Sequence, residues 1–255
     1  LKSLEKSLKS YIKNNRVNKV HNLMVRLFKL GYRDIVDNYL EELVTKEYKS
    51  LLFEIAFLCE LEGEYSLSEK YYLRVIERGD IRGYNNLANI YFETNRVDLS
   101  ELYYKKAVEA KDDLVYENLA NLYKKTGRFD LAEGYYKKAI ELGNEDCAFD
   151  LAFIYHSQDN IPCAEYWYKQ VGDYSNGIAY YNLGNLYSNN GDLGLAEEYY
   201  KKAIDLGDKD AIYNLALLYD RQGNIELAKD CFKILVDSGD IKSIEKLEYY
   251  PENSK

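Results

Sequence analysis

Apolar and small residues return along this chain in two interleaved helical stripes, and both stripes repeat with a period of 32 residues. Tyr116, Leu119, Ala120 and Tyr123 stand at offsets 0, 3, 4 and 7, one face of an α-helix. Leu131, Ala132, Tyr135, Tyr136 and Ala139 form a matching stripe on a second helix. Only a short turn around Gly127 separates the two, so they pack antiparallel. Neither stripe is covered within one pair, and each pair must therefore stack on its neighbours.

The period holds in several independent columns. Leu23, Ile55, Leu87, Leu119, Leu151, Leu183 and Leu215 mark the first helix. Leu40, Tyr72, Tyr104, Tyr136, Tyr168, Tyr200 and Phe232 mark the second, with the small residues Ser68, Ser100, Ala132, Ala164, Ala196 and Ala228 four positions earlier. Gly31, Gly63, Asn95, Gly127, Asp159, Gly191 and Gly223 suit a left-handed turn between the helices. Gly79, Lys111, Gly143, Ser175, Gly207 and Gly239 predict a second such turn. Asp80, Asp112, Asn144, Asn176, Asp208 and Asp240 follow it as candidate N-caps.

These columns predict an all-α solenoid of about seven tandem 32-residue antiparallel helix pairs with a single capping helix at each end. The expected boundaries are 1–18 for an N-terminal helix and 19–50, 51–82, 83–114, 115–146, 147–178, 179–210 and 211–242 for the pairs. Residues 243–255 form a C-terminal cap and tail. Leu4, Leu8, Tyr11 and Ile12 give the first cap its register; Ile244 and Leu247, before Pro251, give the last.

Tyr180-x2-Leu183-Gly184-x2-Tyr187, followed by Ala196-x3-Tyr200, resembles the tetratricopeptide repeat with Tyr in place of Trp. The 115–146 unit repeats that pattern, and "AEEYYKKAIDLGDKDAIYNLALLY" also resembles the related Sel1-like repeat. The spacing departs from both, since tetratricopeptide units are longer and carry proline in the connection, and Sel1-like units have an extended turn. The resemblance implies a right-handed superhelix whose first helices line a concave groove for peptides or protein segments.

Mapped onto that groove, one column runs Asn22, Glu54, Asn86, Asn118, Asp150, Asn182, Asn214 and a second Val25, Phe57, Asn89, Asn121, Phe153, Asn185, Leu217. Carboxamides offer donors and an acceptor for an extended backbone. They equally suit hydrogen bonds between neighbouring helices. Phe149 and Phe153, Phe53 and Phe57, and Tyr181 and Tyr213 are candidate aromatic anchors or, alternatively, inter-repeat core. The candidate groove is thus Asn22, Asn86, Asn89, Asn118, Asn121, Phe149, Phe153, Tyr181, Asn182, Asn185, Tyr213 and Asn214. Asn86, Asn118 and Asn182 stand where family members that clamp a carboxylate carry Lys or Arg. Glu101–Lys105, Glu133–Lys137, Glu165–Lys169 and Glu197–Lys201 read as i,i+4 pairs on an outer solvated face.

Composition narrows the class. The chain holds 28 Tyr against 8 Phe and 1 Trp, which suits much half-buried surface. A net charge of −9 argues against a nucleic-acid backbone as partner. Cys59, Cys147, Cys163 and Cys231 have no metal-ligand spacing and read as small buried residues. His21 and His156 are the only histidines, and no phosphate-binding or nucleophile motif accompanies them. The expectation is a protein-binding scaffold that is not an enzyme, with no metal or cofactor and with a protein or peptide partner, not a nucleic acid or membrane. A self-assembling spacer and a regulatory region of a longer polypeptide are the alternatives, and the oligomeric state stays open. The expected location is the cytoplasm; the start at Leu1 leaves room for an upstream segment or a removed signal peptide.

Overall fold

The computed structural model describes residues 2–14, 16–43, 49–172 and 177–248. Among these every regular element is an α-helix, in the order α1 (Lys2–Lys13), α2 (Val17–Lys29), α3 (Arg33–Glu42), α4 (Lys49–Leu61), α5 (Tyr65–Glu77), α6 (Arg82–Glu93), α7 (Val97–Glu109) and α8 (Val115–Lys125), then α9 (Phe129–Glu141), α10 (Cys147–Ser157), α11 (Ile161–Gly172), α12 (Gly177–Asn190), α13 (Leu193–Asp205), α14 (Asp210–Arg221), α15 (Ile225–Asp237) and α16 (Lys242–Glu248). No described helix is long and apolar enough to cross a membrane. The helices form an α-solenoid of antiparallel pairs that divides into two compact units, Leu1–Thr126 and Gly127–Lys255.

Each pair closes on a small residue. Ser68, Ser100, Ala132, Ala164, Ala196 and Ala228 are fully buried, so nothing larger than a methyl or hydroxymethyl fits between the helices. The two serines also donate to first-helix carbonyls, Ser68 Oγ to Ala56 O at 2.7 Å and Ser100 Oγ to Ala88 O at 2.9 Å. That satisfies a hydroxyl which would otherwise be costly to bury. The closing aromatics Tyr72, Tyr104, Tyr136, Tyr168, Tyr200 and Phe232 are buried one turn further on. At Gly184 the approach is closer still, because an added Cβ would lie 2.4 Å from the Tyr200 ring.

Both turn columns adopt the left-handed backbone that their residues suggested. Gly31, Gly63, Asn95, Gly127, Asp159, Gly191 and Gly223 have φ between 55° and 84°. In the second column Gly79, Gly143, Gly207 and Gly239 are joined by Lys111 at φ 61°. Ser175 and Asn176 lie outside the described residues, as does Pro251.

The expected N-caps work one or two residues earlier than a strict cap. Asp80, Asp112 and Asp240 accept from the backbone N–H two residues on (Arg82, Leu114 and Lys242), and Asp208 accepts from Ala211 N three on. A tight turn thus precedes α6, α8, α14 and α16, and their first α-helical residues come later than the sequence implies. The cysteines are free but not uniformly buried: Cys59 and Cys147 are, while Cys163 and Cys231 are half-buried. Burial pushes the Cys59 thiol up to about 12.

The outer face is also less plain than expected. All four Glu–Lys pairs form, each at 2.7 Å. However, Tyr123 and Tyr219 donate their hydroxyls to Glu101 and Glu197 at 3.0 and 2.8 Å. Each such glutamate is therefore a rung between one second helix and the first helix of the next pair, and the lysine beside it stabilises its charge. Lys201 and Tyr219 accordingly hold the Glu197 carboxyl below its ordinary pKa.

Among the described residues of these turns Lys111 alone is neither glycine nor Asn or Asp, and its positive φ costs an L-residue about 1 kcal/mol. Lys111→Gly is expected to stabilise the protein by up to about 1 kcal/mol. Thermal unfolding followed by circular dichroism checks this; a lower melting temperature would contradict it.

Candidate functional site

Packing decides which surface is the inner one. In the first unit α2 touches α4, α4 touches α6 and α6 touches α8; in the second α12 touches α14. Among the described residues no two successive second helices come as close. The first helices α2, α4, α6 and α8 of the first unit, and α12 and α14 of the second, thus form the tighter layer, and the candidate columns lie on first helices.

The carboxamides on that layer are held by their neighbours. In the first unit Asn118 Nδ2 donates to Asn85 Oδ1 at 3.0 Å, linking α8 to α6. Asn86 Nδ2 donates to the Tyr72 hydroxyl at 2.9 Å, and the Tyr104 hydroxyl donates to Asn89 Oδ1 at 2.6 Å. In the second unit Asn185 Oδ1 accepts from the Tyr200 hydroxyl at 2.8 Å and from Asn214 Nδ2 at 2.7 Å. Asn214 Nδ2 also donates to the Tyr181 hydroxyl at 3.1 Å. These bonds serve two needs at once, since they join adjacent first helices and satisfy the hydroxyls of buried tyrosines. They also fix the amide planes. With the carbonyls of Asn89 and Asn185 turned to the tyrosines, their NH2 groups point away from them.

Asn22 is exposed on α2, next to His21, whose Nε2 lies 2.6 Å from Glu54 on α4. Asn121 and Asn182 are half-buried on α8 and α12. The candidate residues therefore fall into two sets. Asn22, Asn86, Asn89, Asn118 and Asn121 belong to the first unit; Phe149, Phe153, Tyr181, Asn182, Asn185, Tyr213 and Asn214 belong to the second.

The aromatic candidates separate into two kinds. Phe53, Phe149 and Tyr213 pack edge-on against Tyr72, Tyr168 and Phe232, with ring centroids 5.7, 5.8 and 5.9 Å apart. Tyr181 lies 6.3 Å from Tyr200. Each packs on the second helix of its own pair. Two of them also meet the adjacent first helix: the Arg82 guanidinium of α6 lies 4.2 Å from the Phe53 ring, and Asn214 of α14 donates to the Tyr181 hydroxyl. Phe57 and Phe153 behave otherwise, being 42% and 51% exposed. They hold the column that carries Asn89 and Asn185 elsewhere.

His156 lies beside Phe153 on α10, its Nδ1 3.3 Å from the Tyr168 hydroxyl. Burial lowers its pKa, and the Asp159 carboxylate offsets this in part. Among the described residues no three of His, Cys, Asp and Glu converge as a metal site would require. The sequence columns missed Asn85, which has no carboxamide counterpart in most pairs. They also missed the tyrosine hydroxyls as the groups that orient the amides.

Tetratricopeptide repeat family models match residues 81–114, 115–148, 177–208 and 210–238. No curated protein matches the chain. Among solved structures, the C-terminal part of a TPR repeat-containing protein from Cytophaga hutchinsonii has 18% identity and a TM-score of 0.71, over 95% of this chain and 98% of that one. YrrB, described as a TPR protein with an unusual peptide-binding site, has 20% identity and a TM-score of 0.54 over 70% of this chain and 98% of its own. PilW, described as a type IV pilus biogenesis factor, has 15% identity and a TM-score of 0.59 over 80% and 100%. At these identities the likeness is one of fold.

Two outcomes follow from the hydrogen bonds. Asn185→Ala leaves the buried Tyr200 hydroxyl without its acceptor and should cost about 1–3 kcal/mol. Adding Tyr200→Phe should recover part of that loss, so denaturation of the single and double variants reads a non-additive cycle. The second outcome concerns pH. The folded pKa of His156 lies below the unfolded value of about 6.5, so the unfolded chain binds the proton more readily. Its contribution to stability falls as pH drops through about 6.5 toward the folded pKa. Chemical denaturation at pH 7.5 and 5.5 should show a smaller pH effect in His156→Gln than in wild type.

Proposed function

Because the chain belongs to the tetratricopeptide repeat family, we propose that it is a non-catalytic scaffold that holds an extended segment of a partner protein on its first-helix faces. The observation that carries this is the pairing of exposed rings with oriented amides on those faces. Phe57 and Phe153 are exposed where sibling pairs place hydrogen-bonded carboxamides. Each ring leaves about half of its surface in water, apolar area that a partner could cover. As an anchor it would supply most of the binding energy in a small area.

The amides would supply the rest. The NH2 groups of Asn89 and Asn185 are set before any ligand arrives, and they offer donors to the carbonyls of an extended chain. Such contacts hold a backbone without reading its side chains, so selectivity would come from the aromatic positions. Preorganised donors also lower the ordering cost of association. The titratable groups give no support to catalysis: each unit holds a single histidine, on α2 and on α10, and the shifted tyrosines owe their pKa values chiefly to burial.

Selection of a peptide-display library on the intact protein would supply a ligand, and calorimetric titration would then compare variants. Phe57→Ala should weaken a segment held on the first unit, and Phe153→Ala one held on the second, by roughly tenfold or more, with unchanged circular dichroism. If neither substitution, nor Asn89→Ala or Asn185→Ala, changes the affinity, these faces are not where the segment lies.

A further inference from the structure

The fifth helix pair, α10 with α11, breaks the repeat pattern at two positions that meet in space. The first-helix position that is Tyr84, Tyr116 and Tyr180 in the third, fourth and sixth pairs, and a branched aliphatic (Val20, Leu52, Ile212) in the others, is Ala148 here. The second-helix position that is Lys106, Lys138 and Lys202 in the third, fourth and sixth pairs is Gln170. Between them the column Tyr103, Tyr135 and Tyr199 changes to Trp167, the sole tryptophan of the chain.

The intact pairs show what normally occupies this place. In the third pair the Tyr84 ring lies 6.3 Å from Tyr103, and Lys106 Nζ sits 4.6 Å from the Tyr103 centroid. In the sixth pair Tyr180 stacks on Tyr199 at 6.2 Å and 15°, with Lys202 Nζ 5.0 Å from Tyr199 and 5.9 Å from Tyr180. A tyrosine fills the space, and the chain's own ammonium group covers the rings.

In the fifth pair both are gone, and a cavity of about 680 Å³ stands in their place, with Ala148, Phe149, Tyr166, Trp167 and Gln170 in its wall. Tyr166 meets Trp167 at 85° with centroids 5.1 Å apart, so the wall presents two perpendicular rings. Glu145 and Asp146, exposed just before α10, line the mouth of the cavity, and Ile140 and Val171 add apolar wall. Tryptophan has the strongest cation-binding face of the aromatic side chains, and a planar guanidinium both stacks on such a face and pairs with carboxylates.

We propose that this cavity is a site for a basic side chain, an arginine by preference, presented by a partner protein. The incoming guanidinium takes the position against the rings that the lysine ammonium holds in the sibling pairs. Glu145 and Asp146 balance its charge at the mouth. The proposal rests on the scaffold function for its source of ligand, but it uses different residues from the exposed phenylalanines.

Trp167 makes the site directly readable. Titration of the protein with Ac-Ala-Arg-Ala-NH2 should shift the tryptophan emission and saturate, on the order of millimolar for so small a ligand. The isosteric citrulline peptide should leave the emission unchanged. Ala148→Tyr restores the residue found at 84, 116 and 180 without altering the net charge, and it should abolish the response while circular dichroism stays native. Glu145→Gln with Asp146→Asn leaves the wall intact and should weaken binding several-fold. Phe57→Ala should keep the full response, so a failure of the groove proposal remains distinct from a failure here. An equal response to citrulline, or an undiminished response in both Ala148→Tyr and the double carboxamide variant, would overturn the assignment.

Discussion

A tyrosine buried between two helices brings a hydroxyl that must be hydrogen-bonded, and this protein has built its repeating core largely from tyrosine. A ring of this size closes a helix pair well, but an unsatisfied phenol would offset much of the gain. Acceptors must therefore recur with the rings. On the inner side they are Glu60, Asn89 and Asn185, which receive the hydroxyls of Tyr72, Tyr104 and Tyr200. On the outer side they are Glu69, Glu101 and Glu197, which receive those of Tyr91, Tyr123 and Tyr219. The two sets differ in kind, because the outer acceptors reach across to the first helix of the next pair.

The division of labour follows from those bonds. Outer glutamates sit beside a lysine four residues on, so a surface ion pair, weak by itself, becomes part of the contact between pairs. Inner carboxamides lie where the first helices pack closest, and they link α6 to α8 and α12 to α14. What the proposed scaffold offers a ligand is thus a by-product of how its core is satisfied. The amides are oriented by the fold, so a partner segment would meet donors already in place.

Function in a repeat protein is best sought where a column breaks. Phe57 and Phe153 break an asparagine column and leave rings in water. Ala148 and Gln170 break a tyrosine and a lysine column, and the result is a cavity walled by aromatic rings. In both cases the sibling pairs serve as an internal control, showing what the same backbone does with the regular residue. Two of these departures, Ala148 and Phe153, share one helix, α10, while Phe57 lies on α4 and Gln170 on α11.

Much of this was legible in the linear chain. Period, helix type, the small buried residues and the left-handed turns depend on local sterics and spacing, and a single residue such as Gly127 or Ala132 carries that information. The identity of contacts did not. Asn89 and Asn118 look alike in their columns, yet one accepts from a tyrosine on the next helix while the other donates to an asparagine on the preceding first helix. Phe149 and Phe153 stand one turn apart with the same side chain, and only one finds a ring to pack against. Periodicity says which face a residue is on, because that is set by the helix. Whether a side chain on that face is spent on the fold or left for a partner depends on how closely neighbouring helices approach, and that distance exists only once the pairs have stacked.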